Sequence, residues 1–309
     1  MTLADIAHHC YDMTQAYLGI PSPGSIVLET QQAIKETRAI LLNEVFNRWS
    51  PLNGEISFSY NGGKDCQVLL LLYLGCLWEF FMLQAAQSQY SAQYQQFPLN
   101  KLFSVYIDLT ETFPSLETFV DETTLRYELS LYSSLREHGT KASNMSCAFS
   151  DFLKRYPETK AILIGVRATD PFGETLVPVQ KTDKGWPDFY RVQPLLHWKL
   201  AHIWSFLLYS GEPVCGLYEH GFTSIGSIDT SLPNPHLKRD PSAVPQHQFA
   251  YEVEHAYLHQ GPPVNSRPLD KADQDWLSKL SKDKYLPGWF LTDDSVERAG
   301  RIKRQAPSA

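Results

Sequence analysis

The chain has no C-x-x-C pair: its five cysteines, Cys10, Cys66, Cys76, Cys147 and Cys215, are scattered through 309 residues. That spacing argues against a zinc ribbon and a disulfide framework, and fits a reducing compartment. Basic charge is not in excess either. The net charge is −7, so no general nucleic-acid-binding face is expected. Neither G-x-x-x-x-G-K-[ST] nor H-E-x-x-H occurs, and His255 and His259, although spaced i, i+4, lack a third ligand. The stretch MTLADIAHHCYD has no basic start and no long apolar core, unlike a secretory signal. The apolar run 68–78 meets Glu79 and Gln84 before a membrane-spanning length is reached. The expectation is a cytoplasmic protein with no membrane segment and no nucleic-acid partner. No internal repeat is visible.

What the chain does have is core material, 43% hydrophobic and 13% aromatic residues, enough for one large α/β domain or two smaller ones. Its organising stretch is 57–81, SFSYNGGKDCQVLLLLYLGCLWEFF. A short β-type run breaks at Asn61-Gly62-Gly63 and becomes a long apolar helix opened by Lys64 and Asp65. Glycines permit backbone angles at which successive N–H groups converge on one anion. The helix N-terminus behind them adds roughly half a positive charge, and Lys64 adds a full one. A strand–turn–helix junction with no ligand is the plainer reading of the same residues.

Apolar spacing predicts further helices over 27–49, 114–126 and 142–156, and strands over 102–107, 127–132 and 161–166. Residues 88–98, rich in Gln, Ser and Tyr, read as an exposed connection. Strands alternating with helices predict an α/β fold, a doubly wound, mainly parallel sheet with helices on both faces and ligands at the strand C-termini. Residues 1–230 are read as the nucleotide-binding domain and 231–309 as a loop-rich extension packing on the site, with helices over 270–282 and 293–301. Polar residues gather at strand ends. Asp108 follows the second strand, placed to read an adenine edge or to cap the next turn. Arg167 and Asp170 follow the last: Arg167 to fork a phosphate, Asp170 to help hold Mg²⁺ or polarise Arg167, a plain salt bridge being the alternative.

The order S-Y-N-G-G-K-D resembles the PP-loop of ATP pyrophosphatases, whose core is S-G-G-x-D. Together with GVRATDPFGE, QKTDKGWPDFYRVQPLLHW, IWSFLL, GLYEHGFTSIG, LPNPHL and DDSVERAGRIK, it makes the chain similar to the eukaryotic, fungal-type FAD synthetase (FMN adenylyltransferase) family. That family belongs to the PAPS-reductase-like branch of the PP-loop fold, and the blocks run in one order from Ser59 to Lys303. The resemblance implies transfer of the adenylyl group of ATP to FMN, giving FAD and pyrophosphate, with Mg²⁺ accompanying ATP. It implies a monomer that hands FAD to apo-flavoproteins.

By the same resemblance, Ser59, Tyr60, Asn61, Gly62, Gly63, Lys64, Asp65, Ile107, Asp108, Gly165 and Arg167 form the ATP side. Arg167, Asp170, Phe172, Asp183, Trp186, Pro187, Asp188, Arg191, Arg298 and Arg301 form the FMN side. Catalytic roles fall on Asn61, Asp65, Arg167, Asp170, Arg298 and Arg301. Asp65 and Asp170 would touch a metal held mainly by substrate phosphates. The stretch Gly226-Ser227-Ile228-Asp229 varies around the family's T-S-I-G element, which leaves Asp229 without a role. Gly-Trp-Pro-Asp-Phe-Tyr at 185–190 offers flat aromatic surface to a flavin ring, or a hydrophobic plug for the sheet edge. In the tail, Arg298 and Arg301 are expected three apart on one helical face, gripping phosphate as lysines cannot.

Three rivals share the loop. A sulfonucleotide reductase is expected to carry a terminal E-C-G-x-H, whereas Cys215-Gly216-Leu217-Tyr218 is internal and lacks the histidine. A tRNA-modifying enzyme is expected to bring a basic surface and often zinc-binding cysteines. A non-catalytic nucleotide sensor would keep the cradle but have little need for an aromatic wall.

Overall fold

The structure is a computed structural model, and it describes residues 1–21, 24–87, 92, 94–239, 264–280 and 283–302. His255, His259, Lys303, Arg304 and part of the 88–98 connection lie outside the described residues. In chain order the elements are helix α1 (Leu3–Leu18), then α2 (Ser25–Ala39), a π-helical stretch (Ile40–Val45) and the single turn α3 (Phe46–Arg48). Strand β1 (Ile56–Ser59), α4 (Lys64–Ala86), β2 (Leu102–Val105), α5 (Pro114–Arg126) and β3 (Leu129–Tyr132) follow. After them come α6 (Ser134–His138), α7 (Met145–Arg155), β4 (Ala161–Ile164), β5 (Val179–Lys181), β6 (Tyr190–Val192), α8 (Leu200–Ser210) and α9 (Lys271–Leu280).

The sheet runs β3-β2-β1-β4-β6-β5. Every pairing is parallel except the β5–β6 hairpin. From β1 the chain moves outward through β2 and β3, then returns to place β4 on the other side of β1. That reversal opens a crevice beyond the C-terminal ends of β1 and β4, where α/β sheets take their ligands. This is the doubly wound α/β sheet expected from the sequence.

Strand side chains alternate between faces. Ile56, Phe58, Leu163 and Val192 enter the main core with residues of α1, α2, α4, α5 and α8, while Val105, Tyr132 and Ile162 meet Phe149 and Phe152 of α7 on the other face. Helix α4 is apolar all round from Val68 to Leu77 because it is covered all round there, while Met82 and Leu83 near its end are exposed. It runs through Glu79 and Gln84 to Ala86, so these residues do not keep it below a membrane-spanning length as expected. Among the described residues it is the one helix long and apolar enough to cross a membrane, yet 72% of that window is buried inside the fold. Its cover is α1, an element not expected from the sequence, opened by a capping box in which Asp5 N–H donates to Thr2 Oγ1 at 3.2 Å and Thr2 N–H to Asp5 Oδ2 at 2.8 Å.

Helix α5 begins and ends where expected, with Pro114 in its first turn. The expected helix over 27–49 is broken by the π-helical stretch, and strand β2 stops at Val105 instead of reaching Ile107. The last expected helix is corrected. Residues Asp294–Gly300 form a 3-10 helix, and Arg301 leaves it in extended conformation at φ −92°, ψ 121°. A 3-10 helix eclipses side chains three apart, which aims Asp294 and Glu297 at one target, Arg167.

Candidate active site

Strand β1 delivers the chain into Tyr60–Asp65 at the mouth of the crevice. Gly62 sits at φ 72°, and a Cβ there would lie 2.8 Å from Val120 and 2.9 Å from Leu116 of α5. Gly165, at the exit of β4, passes so close to α4 that a Cβ would stand 2.8 Å from the Cys66 backbone. Glycine is required at both points, by conformation at one and by contact at the other. Asn61 Oδ1 accepts the Gly63 N–H at 2.9 Å and fixes the turn. The Lys64 N–H, one of the orphan donors at a helix start, donates to the Tyr218 hydroxyl at 2.9 Å.

Behind the loop lies a buried knot of charge. Lys64 Nζ is 2.9 Å from Asp65 Oδ2 and 2.5 Å from Glu297 Oε1. Arg167 spends all three guanidinium nitrogens on carboxylates: Nε on Asp65 Oδ1 at 2.7 Å, Nη1 on Asp294 Oδ1 at 2.6 Å and Nη2 on Glu297 Oε2. The side chains of Arg167, Lys64 and Glu297 are 0%, 3% and 5% exposed. Burial by itself would depress the Lys64 ammonium, but Asp65 and Glu297 outweigh it and hold its pKa above the usual lysine value. Burial also works against the Asp65 carboxylate, and Lys64 and Arg167 reverse that and keep it below the usual range. Asp170 moves the other way, raised first by burial and then by the charge of Asp65.

Lys64 and Arg167, expected to meet phosphate, are thus paired within the protein: a buried cation requires carboxylate partners, and Asp65 together with the tail supplies them. The cations on the open side are Arg298 and Arg301. Arg298 Nη1 lies 3.3 Å from Ser224 Oγ and 4.0 Å from Asp170 Oδ1. The Arg301 guanidinium lies against Gly226, its pKa lowered by burial and then by Arg298. Asp170 is held in a turn, its Oδ2 accepting the Arg167 N–H at 3.0 Å.

Tyr60 turns its ring into the core. Ile107 packs on the cluster under α7. Asp108 Oδ2 accepts the Leu135 N–H at 2.8 Å, in the first turn of α6 and not in the turn after its own strand, while its buried Oδ1 has no partner among the described residues. On the hairpin, Asp183 pairs with Arg191 at 3.1 Å, and Trp186, 39% exposed, stands 6.3 Å from the Phe149 ring. The Gly185 carbonyl accepts Ser146 Oγ at 3.5 Å, and that of Pro187 accepts Thr182 Oγ1 at 2.7 Å. Phe172 is 90% exposed at φ 65°, a conformation unusual outside glycine. Asp188 pairs with Lys181 at 3.0 Å, and the strand neighbour Tyr190 registers with Ala161 at the start of β4. Asp188 thus lies at the end of the sheet opposite the loop. Asp229 sits in the short 3-10 turn Ile228–Thr230.

Sequence reasoning gave no role to Tyr218, Asp294 or Glu297. Their signal was indirect: a lysine placed at the buried start of an apolar helix must find carboxylates somewhere.

The family model for the phosphoadenosine phosphosulfate reductase domain matches residues 55–233. The flavin adenine dinucleotide synthase of Saccharomyces cerevisiae is 57% identical over 308 residues, 98% of this chain and 100% of that protein. The chain belongs to the FAD synthase family. Two solved structures place the family likeness on the whole fold. The Candida glabrata FMN adenylyltransferase in complex with FMN and the ATP analogue AMPCPP is 52% identical, with 99% of both chains covered and a TM-score of 0.87. The yeast FAD synthetase in complex with FAD is 54% identical, covering 98% of this chain and 100% of that one, with a TM-score of 0.85. The blocks that resemble the FAD synthase family fall on the loop, the Arg167–Asp170 turn, the hairpin, α8, the short turns over 216–237 and the tail.

Proposed function

We propose that this chain transfers the adenylyl group of ATP to the phosphate of FMN, giving FAD and pyrophosphate. The observation that carries the reading is the near full-length likeness to an adenylyltransferase seen with FMN and an ATP analogue. The glycine loop at the sheet's switch point supports it. An FMN phosphate oxygen attacks the α-phosphorus of ATP, one P–O bond forms, and the bond to the pyrophosphate leaving group breaks. The attacking phosphate has a second pKa near about 6 by analogy with phosphoserine, so it is largely dianionic at neutral pH and needs no general base. The obstacle is repulsion between polyanions, which positioning and fixed positive charge must offset.

The loop and the start of α4 are the ATP side of the proposal, with the unpartnered Asp108 Oδ1 facing a donor such as an adenine amine or ribose hydroxyl. Trp186, Phe172 and Asp183 form the flavin side. Arg298 and Arg301, the cations not locked into the buried knot, take the reacting phosphates. Asp65 and Asp170 do not compose a resident metal site. Both Asp65 oxygens are held by Lys64 and Arg167, and among the described residues no group of three or more His, Cys, Asp or Glu could hold an ion. Magnesium in this proposal arrives on the ATP phosphates.

Incubation with ATP, Mg²⁺ and FMN, followed by chromatography, should yield FAD and pyrophosphate, and riboflavin in place of FMN should yield nothing. FMN formed from riboflavin would show a different reaction, and ATP binding without FAD would favour the sensor. The reductase reading loses ground on Cys215, which is buried, its thiol pushed up to about 12 by that burial. The proposal extends to a monomer that releases FAD to apo-flavoproteins, since loop, hairpin and tail all come from one chain. Light scattering showing a dimer, or FAD that an apo-flavoprotein cannot take up, would oppose it. A cytoplasmic location fits five unpaired thiols, and cell fractionation checks it.

A further inference from the structure

A glutamate beside a site for two polyanions needs a reason. We propose that Glu297 is a positioning residue for the adenylyl transfer: it fastens the tail to the loop and thereby sets Arg298 over the reacting phosphates. The inference rests on the adenylyltransferase reading above.

Glu297 is held from both ends. Its side chain bridges Lys64 and Arg167, and its backbone carbonyl accepts Thr223 Oγ1 at 2.6 Å and Asn234 Nδ2 at 3.2 Å. One residue on, the Arg298 guanidinium lies 3.3 Å from the hydroxyl of Ser224, the neighbour of Thr223. In a 3-10 helix each step rotates the side chain by roughly 120°. With Asp294 and Glu297 facing inward, Arg298 must face outward, toward Asp170 and the crevice. The carboxylate points away from the substrates while fixing the backbone of the cation that meets them. It also neutralises two buried cations that, unpaired, would loosen the loop.

The test uses the full chain, ATP, Mg²⁺ and FMN, with single-turnover rates to keep slow variants measurable and steady-state KM alongside. Displacing a reacting group by an ångström can cost about a hundredfold. Glu297→Gln should therefore lower the rate by about tenfold to a hundredfold while KM for ATP and FMN moves only a few-fold. In an Arg298→Met background the same change should cost almost nothing further, because Glu297 acts through Arg298. Full turnover in Glu297→Gln, or a loss that simply multiplies that of Arg298→Met, would overturn the proposal. If Glu297→Gln does not fold, Thr223→Val, which removes only one anchor of the Glu297 carbonyl, carries the test. A smaller rate loss absorbed by Arg298→Met supports the proposal, and an unabsorbed loss or none contradicts it. Failure of the unaltered chain to make FAD would instead bring down the functional reading.

Discussion

Lys64 and Arg167 carry the same charge as Arg298 and Arg301 and lie near them, yet the two pairs live differently. The first pair is sealed, each charged nitrogen in contact with a carboxylate of Asp65, Asp294 or Glu297. The second pair is partly open, with Arg298 40% exposed and its nearest carboxylate among the described residues, Asp170, 4.0 Å away. On the proposed reading, cations already satisfied by the protein hold the architecture, and cations without a close carboxylate are left for a substrate phosphate. Ion pairing thus separates the two pairs more clearly than position along the chain does.

The largest test of this division is truncation after Asp294. It removes Glu297, Arg298 and Arg301 together, so turnover should vanish and the melting temperature should fall, because Lys64 and Arg167 lose a buried partner. Next comes Arg167→Met, which leaves Asp65, Asp294 and Glu297 facing one another. Breaking a buried pair costs about 3–5 kcal/mol, so thermal unfolding should shift down by many degrees. Arg298→Lys and Arg301→Lys should each lose activity by about tenfold or more, since a lysine cannot fork a phosphate, with unfolding nearly unchanged. Asp183→Ala should weaken FMN by roughly tenfold, read by calorimetry, and leave ATP binding alone. Loss of ATP binding there would contradict a two-sided site.

The smallest effect is on pH. Burial opposes the Glu212 carboxylate, but hydrogen bonds from Arg126 and Tyr127 hold its pKa below 4.5. Its stabilising contribution is complete above that ordinary value and disappears as pH falls through the lower folded one. Glu212→Gln should flatten the acid limb of a melting-temperature profile and leave the neutral region's shape unchanged.

The loop was legible because its signal is local: Asn61-Gly62-Gly63 between a β-type run and an apolar helix states its own conformation. Helix α5 was legible for the same reason, with Pro114 marking its start. The knot was not. Lys64 and Glu297 are 233 residues apart, and Arg167 reaches Asp294 and Glu297 across 127 and 130. No local pattern encodes pairings at that range. Nothing local in the tail's acids points to Arg167, and only the 3-10 geometry turns them toward it. Helix α1 escaped because its apolar positions are interleaved with two histidines and two aspartates, and its packing surface on α4 is visible only once α4 is placed.

The most direct test sets Arg298→Met beside Arg167→Met and measures turnover and thermal unfolding on both. The account predicts that Arg298→Met loses turnover and keeps its melting temperature, whereas Arg167→Met melts far lower. An Arg167→Met protein as stable as the unaltered chain, or an Arg298→Met protein that unfolds early, would contradict the division between cations that hold and cations that act.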